Sequence, residues 1–224
     1  MTASSPSRPL ILASGSPRRI EMLSTCGLVP QVIPSSYEEK IPCRMLPAER
    51  AMFFAMGKAL EVRTRLDSAI LPADCDYDFY EIPMIVGADT IVVYRGSIME
   101  KPKDKEDGMQ MLMALSGKTH QVITGVCLAD AARRLTKCFY ESTDVTFCSY
   151  SEAEMDAYLD TDEAYDKAGG YGIQGTFSKY VTEVTGDIDN VIGFPLTRFL
   201  KEKEIYEQIL KNGRLYELTP KSWT

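Results

Sequence analysis

The hydrophobic pattern of this chain alternates short apolar runs with segments whose apolar residues recur at helical spacing. The run 10–13 predicts a buried strand, and Ser16 followed by Pro17 predicts the start of a helix that Gly27 would end. The run 84–94 predicts a long strand. Further helices are predicted at 47–66, 105–115, 152–159 and 195–210, and further strands at 30–34, 98–100, 121–129, 138–149 and 180–184. This mixed order predicts an α/β or α+β fold around a mixed sheet.

The composition is that of a folded globular protein, with 45% hydrophobic and 25% charged residues among 224. We expect one domain over 10–210, a disordered tail at 1–9 and a C-terminal tail at 211–224. The stretch 67–83 is rich in Asp, Pro and aromatic residues, which predicts a surface insertion. No apolar run reaches the roughly 18 residues of a membrane helix, and the first nine residues lack the apolar core of a secretory signal. We therefore expect a cytoplasmic protein without a membrane partner.

Charge and cysteine content narrow the function further. The formal net charge of −7 disfavours general attraction to nucleic acid or to an anionic membrane, so an anionic ligand would need a local cluster of Lys and Arg. No two cysteines form a C-x-x-C pair, which disfavours a zinc site and a disulfide framework and favours free thiols. The six cysteines are Cys26, Cys43, Cys75, Cys127, Cys138 and Cys148.

The single histidine, His120, lies at the start of a predicted strand, where a structural role is more common than a catalytic one. The chain has no G-x-S-x-G motif, so a Ser-His-Asp hydrolase is disfavoured. We expect the chemistry to use Asp, Glu, Lys and Arg, with a hard cation as a candidate cofactor.

The turn from the first strand into the first helix is a candidate phosphate site. Small residues from Ser14 to Ser16 present backbone N–H groups at a helix N-terminus, where the dipole favours an anion. Arg18 and Arg19 in the first helical turn are unfavourable there unless an anion is bound. A phosphate would resolve that conflict; the alternative is two solvated arginines.

Three further charged residues are candidates. Asp89 interrupts an apolar strand, and an unpaired buried carboxylate is costly, so it should meet a lysine, a metal ion or both. Lys58 falls on the apolar face of its predicted helix, where it must either reach solvent or find an anionic partner. Lys101 follows the hairpin strand and gives a weaker signal, and Glu39 belongs to a loop pair of a kind that is usually solvated.

The glycine-rich segment 167–175 is typical of a loop that brings its backbone close to a ligand. Within it, the Gln174 amide could both donate and accept hydrogen bonds at a base edge. The alternative is a flexible connector.

Six motifs occur in an order that resembles the Maf family of nucleoside triphosphate pyrophosphatases, also called septum-formation inhibitors. They are SGSPRR at 14–19, GADT at 87–90, EKP at 100–102, LSGKTH at 115–120, DKAGGYGIQG at 166–175 and GFPL at 193–196. The resemblance covers about 10–205. It implies an elongated α/β fold like that of inosine triphosphate pyrophosphatase, with a mixed sheet and two lobes around a central cleft.

The resemblance also implies an activity and roles for residues. Members hydrolyse nucleoside triphosphates to the monophosphate and pyrophosphate with Mg²⁺, or with a similar cation such as Mn²⁺. Asp89 matches the family's proton acceptor, and Glu39, Lys58 and Lys101 match its other polar active-site positions. Arg18, Thr90 and Gln174 match positions tied to base selectivity. We expect Ser14, Ser16 and Arg19 to bind substrate as well, and Asp89 and Glu39 to hold the cation. Whether Asp89 is the base, a metal ligand or both stays open.

The combination of motifs is similar to the subgroup acting on dTTP and UTP, and modified pyrimidine nucleotides are also candidate substrates. A different base, such as 7-methyl-GTP, is the close alternative, although that subgroup usually has an aromatic residue where Arg18 stands. A non-catalytic nucleotide-binding regulator of cell division and an RNA-binding module are alternatives from other classes. The presence of Asp89, Lys58, Lys101 and both arginines disfavours a non-catalytic regulator. The negative net charge disfavours an RNA-binding module. The resemblance further implies a homodimer.

Overall fold

The computed structural model describes residues 8–41, 43–67, 82–131 and 135–212. Most of the predicted insertion at 67–83 therefore lies outside the described residues, as do residues 1–7 of the predicted N-terminal tail and all but the first two residues of the predicted C-terminal tail. Arg8 and Pro9 were predicted to belong to the N-terminal tail, but both pack into the fold. Arg8 is buried and forms an ion pair with Asp130, while the carbonyl of Pro9 accepts a hydrogen bond from Met84 N.

The described residues form a mixed α/β fold. Its strands are β1 (Leu10–Leu12), β2 (Gln31–Val32), β3 (Met84–Tyr94), β4 (Ser97–Met99), β5 (Thr119–Asp130), β6 (Thr136–Phe147) and β7 (Val181–Thr185). Its α-helices are α1 (Pro17–Thr25), α2 (Pro47–Asp67), α3 (Lys105–Leu115), α4 (Glu152–Leu159), α5 (Ile188–Ile192) and α6 (Leu196–Asn212). Short 3₁₀ turns occupy Ala168–Gly170 and Thr176–Tyr180. No helix in these ranges is long and apolar enough to span a membrane.

All seven strands belong to one sheet, in the order β2-β1-β3-β5-β6-β7, with β4 paired to β3. β1 runs parallel to both β2 and β3, whereas the other pairings are antiparallel. The mixed sheet predicted from the sequence is confirmed. The long strands β3 and β5 form its centre, so residues in the middle of β3 lie near the centre of the sheet.

Helix α2 lies directly against β3 and β5 because two glycines leave room for its backbone. A Cβ atom at Gly87 would come within 2.1 Å of the Ala55 carbonyl oxygen, and one at Gly125 within 2.3 Å of the Ala51 carbonyl carbon. Glycine inside a strand often marks such a close backbone approach. The contact fixes the height of Lys58 on α2 above the middle of β3.

Of the four hydrophobic clusters among the described residues, the two with the most buried residues occupy opposite ends of the long strands, and the other two lie between the sheet and α2. The first lobe packs α1 and α6 against the start of β3 and the end of β5. The second lobe packs α3 and α4, together with a cluster of tyrosines and phenylalanines, against the other ends of the same strands. The resulting two lobes agree with the predicted architecture.

The predicted element boundaries agree closely with the structure. Met84–Tyr94 and Lys105–Leu115 match residue for residue, and the capping box predicted at Ser151 is formed with Glu154. Ser16 takes the N-cap position of α1, but its side chain makes no capping hydrogen bond. The predicted strand 30–34 is shorter, because the prolines at its two ends cannot donate to a ladder. Helix α5 was missed, since five residues with two acids carry too little apolar periodicity.

Candidate active site

A cleft of about 900 Å³ lies between the two lobes. It is lined by the β1–α1 turn, the middle of β3, one face of α2, the glycine-rich loop and the turn after α5. The structure places all ten residues predicted as catalytic or substrate-binding on its surface. They are Ser14, Ser16, Arg18, Arg19, Glu39, Lys58, Asp89, Thr90, Lys101 and Gln174.

The centre of the cleft holds one lysine between two carboxylates. Lys58 Nζ lies 2.6 Å from Asp89 Oδ1 and 2.7 Å from Glu39 Oε1. The Asp89 side chain is 11% exposed and that of Glu39 is 43% exposed. Lys58 therefore contacts one buried carboxylate and one accessible carboxylate. Lys58 thus finds the anionic partner that its place on an apolar helix face required, and Asp89 finds its cation.

Burial and charge act on Asp89 in opposite directions. Burial raises the pKa of Asp89 above its ordinary value, and the ammonium of Lys58 opposes that rise by charge attraction and by its hydrogen bond. The carboxylate of Glu39 adds a smaller contribution that raises the same pKa. A carboxylate with a raised pKa that faces a cleft has the character of a proton acceptor.

Arg19 connects the phosphate-binding turn to β3. Its Nη1 donates to Ser14 Oγ at 3.0 Å, its Nη2 to Thr90 Oγ1 at 3.1 Å, and its Nε to the Gly193 carbonyl at 3.0 Å. Burial lowers the pKa of Arg19, and the charge of Asp89 opposes that change. A guanidinium held at three points on three elements carries a fixed positive charge into the cleft.

The partners of Arg19 are themselves held by a buried polar network that the sequence interpretation missed. Thr90 Oγ1 lies 2.9 Å from Thr124 Oγ1, and Thr124 donates to the Asn190 carbonyl at 3.1 Å. Asn190 is fully buried, and its amide donates to the Val122 carbonyl and to Thr143. The sequence carries no local signal for this network, because neutral polar residues are common in strands and loops and their burial follows only from the fold.

Arg18 takes a different position from Arg19. Its Nη1 lies 3.1 Å from Asp166 Oδ2 at the mouth of the cleft, and its side chain is 34% exposed. Asp166 also contacts Lys167. Of the two arginines in the first turn of α1, Arg19 therefore lies inside the cleft and Arg18 lies at its rim.

The glycine-rich loop forms the opposite wall. Gly169 and Gly170 have φ of +70° and +75°, and Gly169 N donates to the Glu100 carbonyl at 2.9 Å. A Cβ atom at Gly169 would touch Val92 on β3 at 3.0 Å, so the loop lies directly on the sheet. Gln174 follows on this wall with an exposed side chain.

His120 supports this loop from below. It is 2% exposed, and its Nε2 lies 2.6 Å from the Tyr171 hydroxyl. Its ring packs on Phe147 at a centroid distance of 4.6 Å. Burial lowers the pKa of His120 to about 4, so the ring is neutral at neutral pH. The expected structural role of the lone histidine agrees with this geometry.

Arg50 and Glu100 also line the cleft; Arg50 was not singled out from the sequence, and Glu100 was noted only as part of the EKP motif. Their side chains form an ion pair, and the Arg50 guanidinium lies 5.1 Å from the centre of the Phe54 ring. Arg50 precedes Lys58 by eight residues on α2, so the two cations lie near one face of the helix. That spacing was the available signal. Lys101, next to Glu100, is exposed at the same rim.

The two central carboxylates fit a hard cation. The described ranges contain no group of three or more His, Cys, Asp or Glu side chains that could hold a metal ion by themselves. Mg²⁺, however, usually binds one or two carboxylates together with substrate phosphates and water. Asp89 and Glu39 both contact the ammonium group of Lys58, so two acidic oxygen donors face the same part of the cleft.

Comparison with known proteins agrees with this geometry. A family model described as Maf-like protein matches residues 9–204. A dTTP/UTP pyrophosphatase of Bacillus thuringiensis subsp. konkukian is 42% identical over 195 residues, which cover 87% of this chain and 94% of the relative. A protein of the same name from Bacillus cytotoxicus is 40% identical over 200 residues, which cover 89% of this chain and 96% of the relative.

Proposed function

The chain belongs to the family of Maf-like proteins, and on that premise we propose that it hydrolyses dTTP and UTP to the nucleoside monophosphate and pyrophosphate. The observation that carries the proposal is the buried Asp89 held by Lys58 in a cleft that Arg19 also enters. The names of the similar Bacillus proteins support the same reaction and the same two substrates.

Asp89 acts on the attacking water in the proposed reaction. Its carboxylate accepts a proton as the water oxygen attacks the α-phosphorus and the bond to the pyrophosphate oxygen breaks. The raised pKa that burial gives Asp89 suits this role, because a stronger base takes the proton more readily. Lys58 orients the carboxylate through its hydrogen bond of 2.6 Å.

The cations of the cleft neutralise the triphosphate and the charge that develops on pyrophosphate. Arg19 approaches from the α1 turn, Lys58 from α2 and Lys101 from the rim near β4. Fixed charges of this kind stabilise the transition state without reorganising during the reaction. A divalent cation, Mg²⁺ or Mn²⁺, would be held by Asp89 and Glu39 and would add positive charge at the phosphates.

The loop wall selects the base. A uracil or thymine ring offers one N–H donor beside carbonyl acceptors, and the amide of Gln174 can match both kinds of group. Ser14 and Ser16 lie at the β1–α1 turn, where backbone N–H groups face the anion, and Arg18 and Thr90 flank that turn. The absence of a large aromatic side chain at position 18 favours a pyrimidine over 7-methylguanine.

We further propose that the enzyme works as a homodimer in the cytoplasm, as the family resemblance implies. A house-cleaning role, in which the enzyme removes modified pyrimidine nucleotides, uses the same site and the same reaction. Gel filtration with light scattering measures the mass in solution, and a monomer at working concentration would contradict the dimer.

Pyrophosphate release from dTTP, UTP, CTP, GTP and 7-methyl-GTP, with and without Mg²⁺, tests the function. We expect cation-dependent turnover of dTTP and UTP that far exceeds turnover of the others. Turnover of 7-methyl-GTP instead would keep the catalytic assignment and overturn the roles of Arg18 and Gln174. No turnover of any of these nucleotides, by a protein that still binds them, would favour a nucleotide-binding regulator.

A further inference from the structure

A pair of cysteines lies opposite one another on two neighbouring antiparallel strands, away from the cleft. Cys127 on β5 and Cys138 on β6 are register partners in an uninterrupted ladder. Neither residue lines the cleft, and the proposed reaction uses neither. The sequence gives no hint of the pairing, because ten residues separate the two cysteines.

The hydrogen-bonding pattern between β5 and β6 determines how close the side chains of Cys127 and Cys138 come. Asp130 N donates to the Leu135 carbonyl, which continues the register of the ladder beyond Ala129 and Thr136. Asp130 and Leu135 are thus a hydrogen-bonded pair, and such pairs alternate along an antiparallel ladder with pairs that are not hydrogen-bonded. Cys127 and Cys138 are therefore a non-hydrogen-bonded pair. In such pairs the Cα atoms are about 4.5 Å apart, within the range that a disulfide accepts.

The two thiols differ in environment. Cys127 is fully buried in the core beneath α2, whereas Cys138 is partly exposed. The described part of β7 pairs with β6 only at 144–147, so no described strand covers β6 at Cys138. A hydrogen bond from the Cys127 thiol lowers the pKa of Cys138, and Arg63 on α2 lies near Cys127. A partly exposed cysteine whose thiol pKa is lowered thus lies beside a buried cysteine.

We propose that Cys127 and Cys138 form an oxidant-reactive dithiol, in which a peroxide oxidises Cys138 to a sulfenic acid and Cys127 then completes a disulfide. The Cys138 thiolate attacks one peroxide oxygen, so an S–O bond forms, the O–O bond breaks and hydroxide leaves. The Cys127 sulfur then attacks the sulfenic acid, and its proton leaves with the hydroxyl group as water. The two sulfurs lose two electrons in total, and the peroxide gains them. The proposal does not rest on the proposed pyrophosphatase activity.

The test treats the reduced full-length protein with hydrogen peroxide and measures its intact mass. We expect a loss of two hydrogen atoms that dithiothreitol reverses. Digestion under non-reducing conditions, after the remaining thiols are alkylated, should recover Cys127 and Cys138 in one linked peptide pair. A disulfide between Cys138 and another cysteine, or stable addition of oxygen to Cys138 in the unchanged chain, would overturn the proposal.

Variants separate the two roles. In Cys127→Ala the reaction should stop at sulfenic acid on Cys138, which dimedone captures. In Cys138→Ser no linked peptide should form and Cys127 should stay reduced. Cys148 is the matched control, because it is also partly exposed but its backbone carbonyl pairs with Gly117, which has no side chain to link to. Cys148→Ser should therefore form the link as the unchanged chain does, and failure to do so would contradict the assignment. Circular dichroism checks that each variant is folded.

Discussion

The wall of the cleft formed by β3 and α2 differs from the wall formed by the glycine-rich loop in how its functional side chains are held. On the first wall, Asp89 and Lys58 hold each other by a direct ion pair, between elements that two glycines bring together. On the second wall, Gln174 is exposed, and the loop is anchored by buried neighbours such as Tyr171. On the first wall, the charged side chains are therefore held in place by their ion pair. On the second wall, the position of the polar Gln174 side chain depends on the backbone of the loop.

This difference predicts that the two walls affect different kinetic constants. Groups that stabilise developing charge act in the transition state, so their loss lowers kcat. A group that recognises the base contributes to ground-state and transition-state binding alike, so its loss raises KM. Substitutions on each wall can test this division.

The largest effect is expected from Asp89→Asn. The amide keeps the shape of the side chain but cannot accept the proton, and we expect kcat to fall by about 10³, within the usual range for general-base catalysis. Steady-state pyrophosphate release measures kcat, and thermal unfolding checks the fold. Glu39→Gln is the matched control, since it removes the more exposed carboxylate beside the same lysine and should reduce kcat less. Turnover of Asp89→Asn within tenfold of the unchanged protein would exclude Asp89 as the base.

Lys58→Met should change the pH dependence as well as the rate. The ammonium of Lys58 lowers the pKa of Asp89, so its removal raises that pKa. Because the proposed base must be deprotonated, the acid limb of the kcat/KM profile should move to higher pH. The rate at neutral pH should fall by about 10², which combines this shift with the loss of one phosphate-binding charge. Lys58→Arg keeps the charge and should leave the limb near its original pH. An unchanged acid limb in Lys58→Met would show that Asp89 does not set it.

The sequence predicted the charged residues of the cleft better than the neutral network behind them, for a physical reason. A charge inside an apolar strand or on an apolar helix face is costly, so Asp89 and Lys58 could be recognised as partners in need of ions. Thr90, Thr124 and Asn190 are neutral, and such residues are common in strands and loops. Their network around Arg19 depends on tertiary contacts that no local pattern records. The capping box at Ser151 was predictable because all of its atoms are local.

Gln174→Ala should raise KM for dTTP about tenfold and leave kcat within twofold, the size expected for one or two hydrogen bonds to a neutral group. The ratio of kcat/KM for dTTP to that for CTP should fall, because the group that distinguishes the base edges is gone. Lys179→Ala, a few residues further along at an exposed position outside the cleft, is the control and should leave both constants unchanged. A fall in kcat with unchanged KM would place Gln174 on the chemical step instead.

The smallest effect is expected below the loop, at the hydrogen bond between His120 and Tyr171. Tyr171→Phe removes a hydroxyl that lies 2.6 Å from the ring nitrogen, and we expect KM for dTTP to rise about threefold while kcat holds. His120→Phe should act in the same way, and the double variant should be no worse than either single one, because both remove one contact.

Tyr150→Phe is the matched control for that cycle. Its hydroxyl donates to the Leu112 carbonyl at 2.6 Å in the same aromatic core, but Tyr150 does not line the cleft. It should lower the unfolding temperature as Tyr171→Phe does, without raising KM. If the three single variants, Tyr171→Phe, His120→Phe and Tyr150→Phe, all lost stability and none changed KM, His120 would stabilise only the aromatic core. A rise in KM confined to the His120 and Tyr171 variants would show that the loop wall depends on a buried anchor for the position of its base-binding residue.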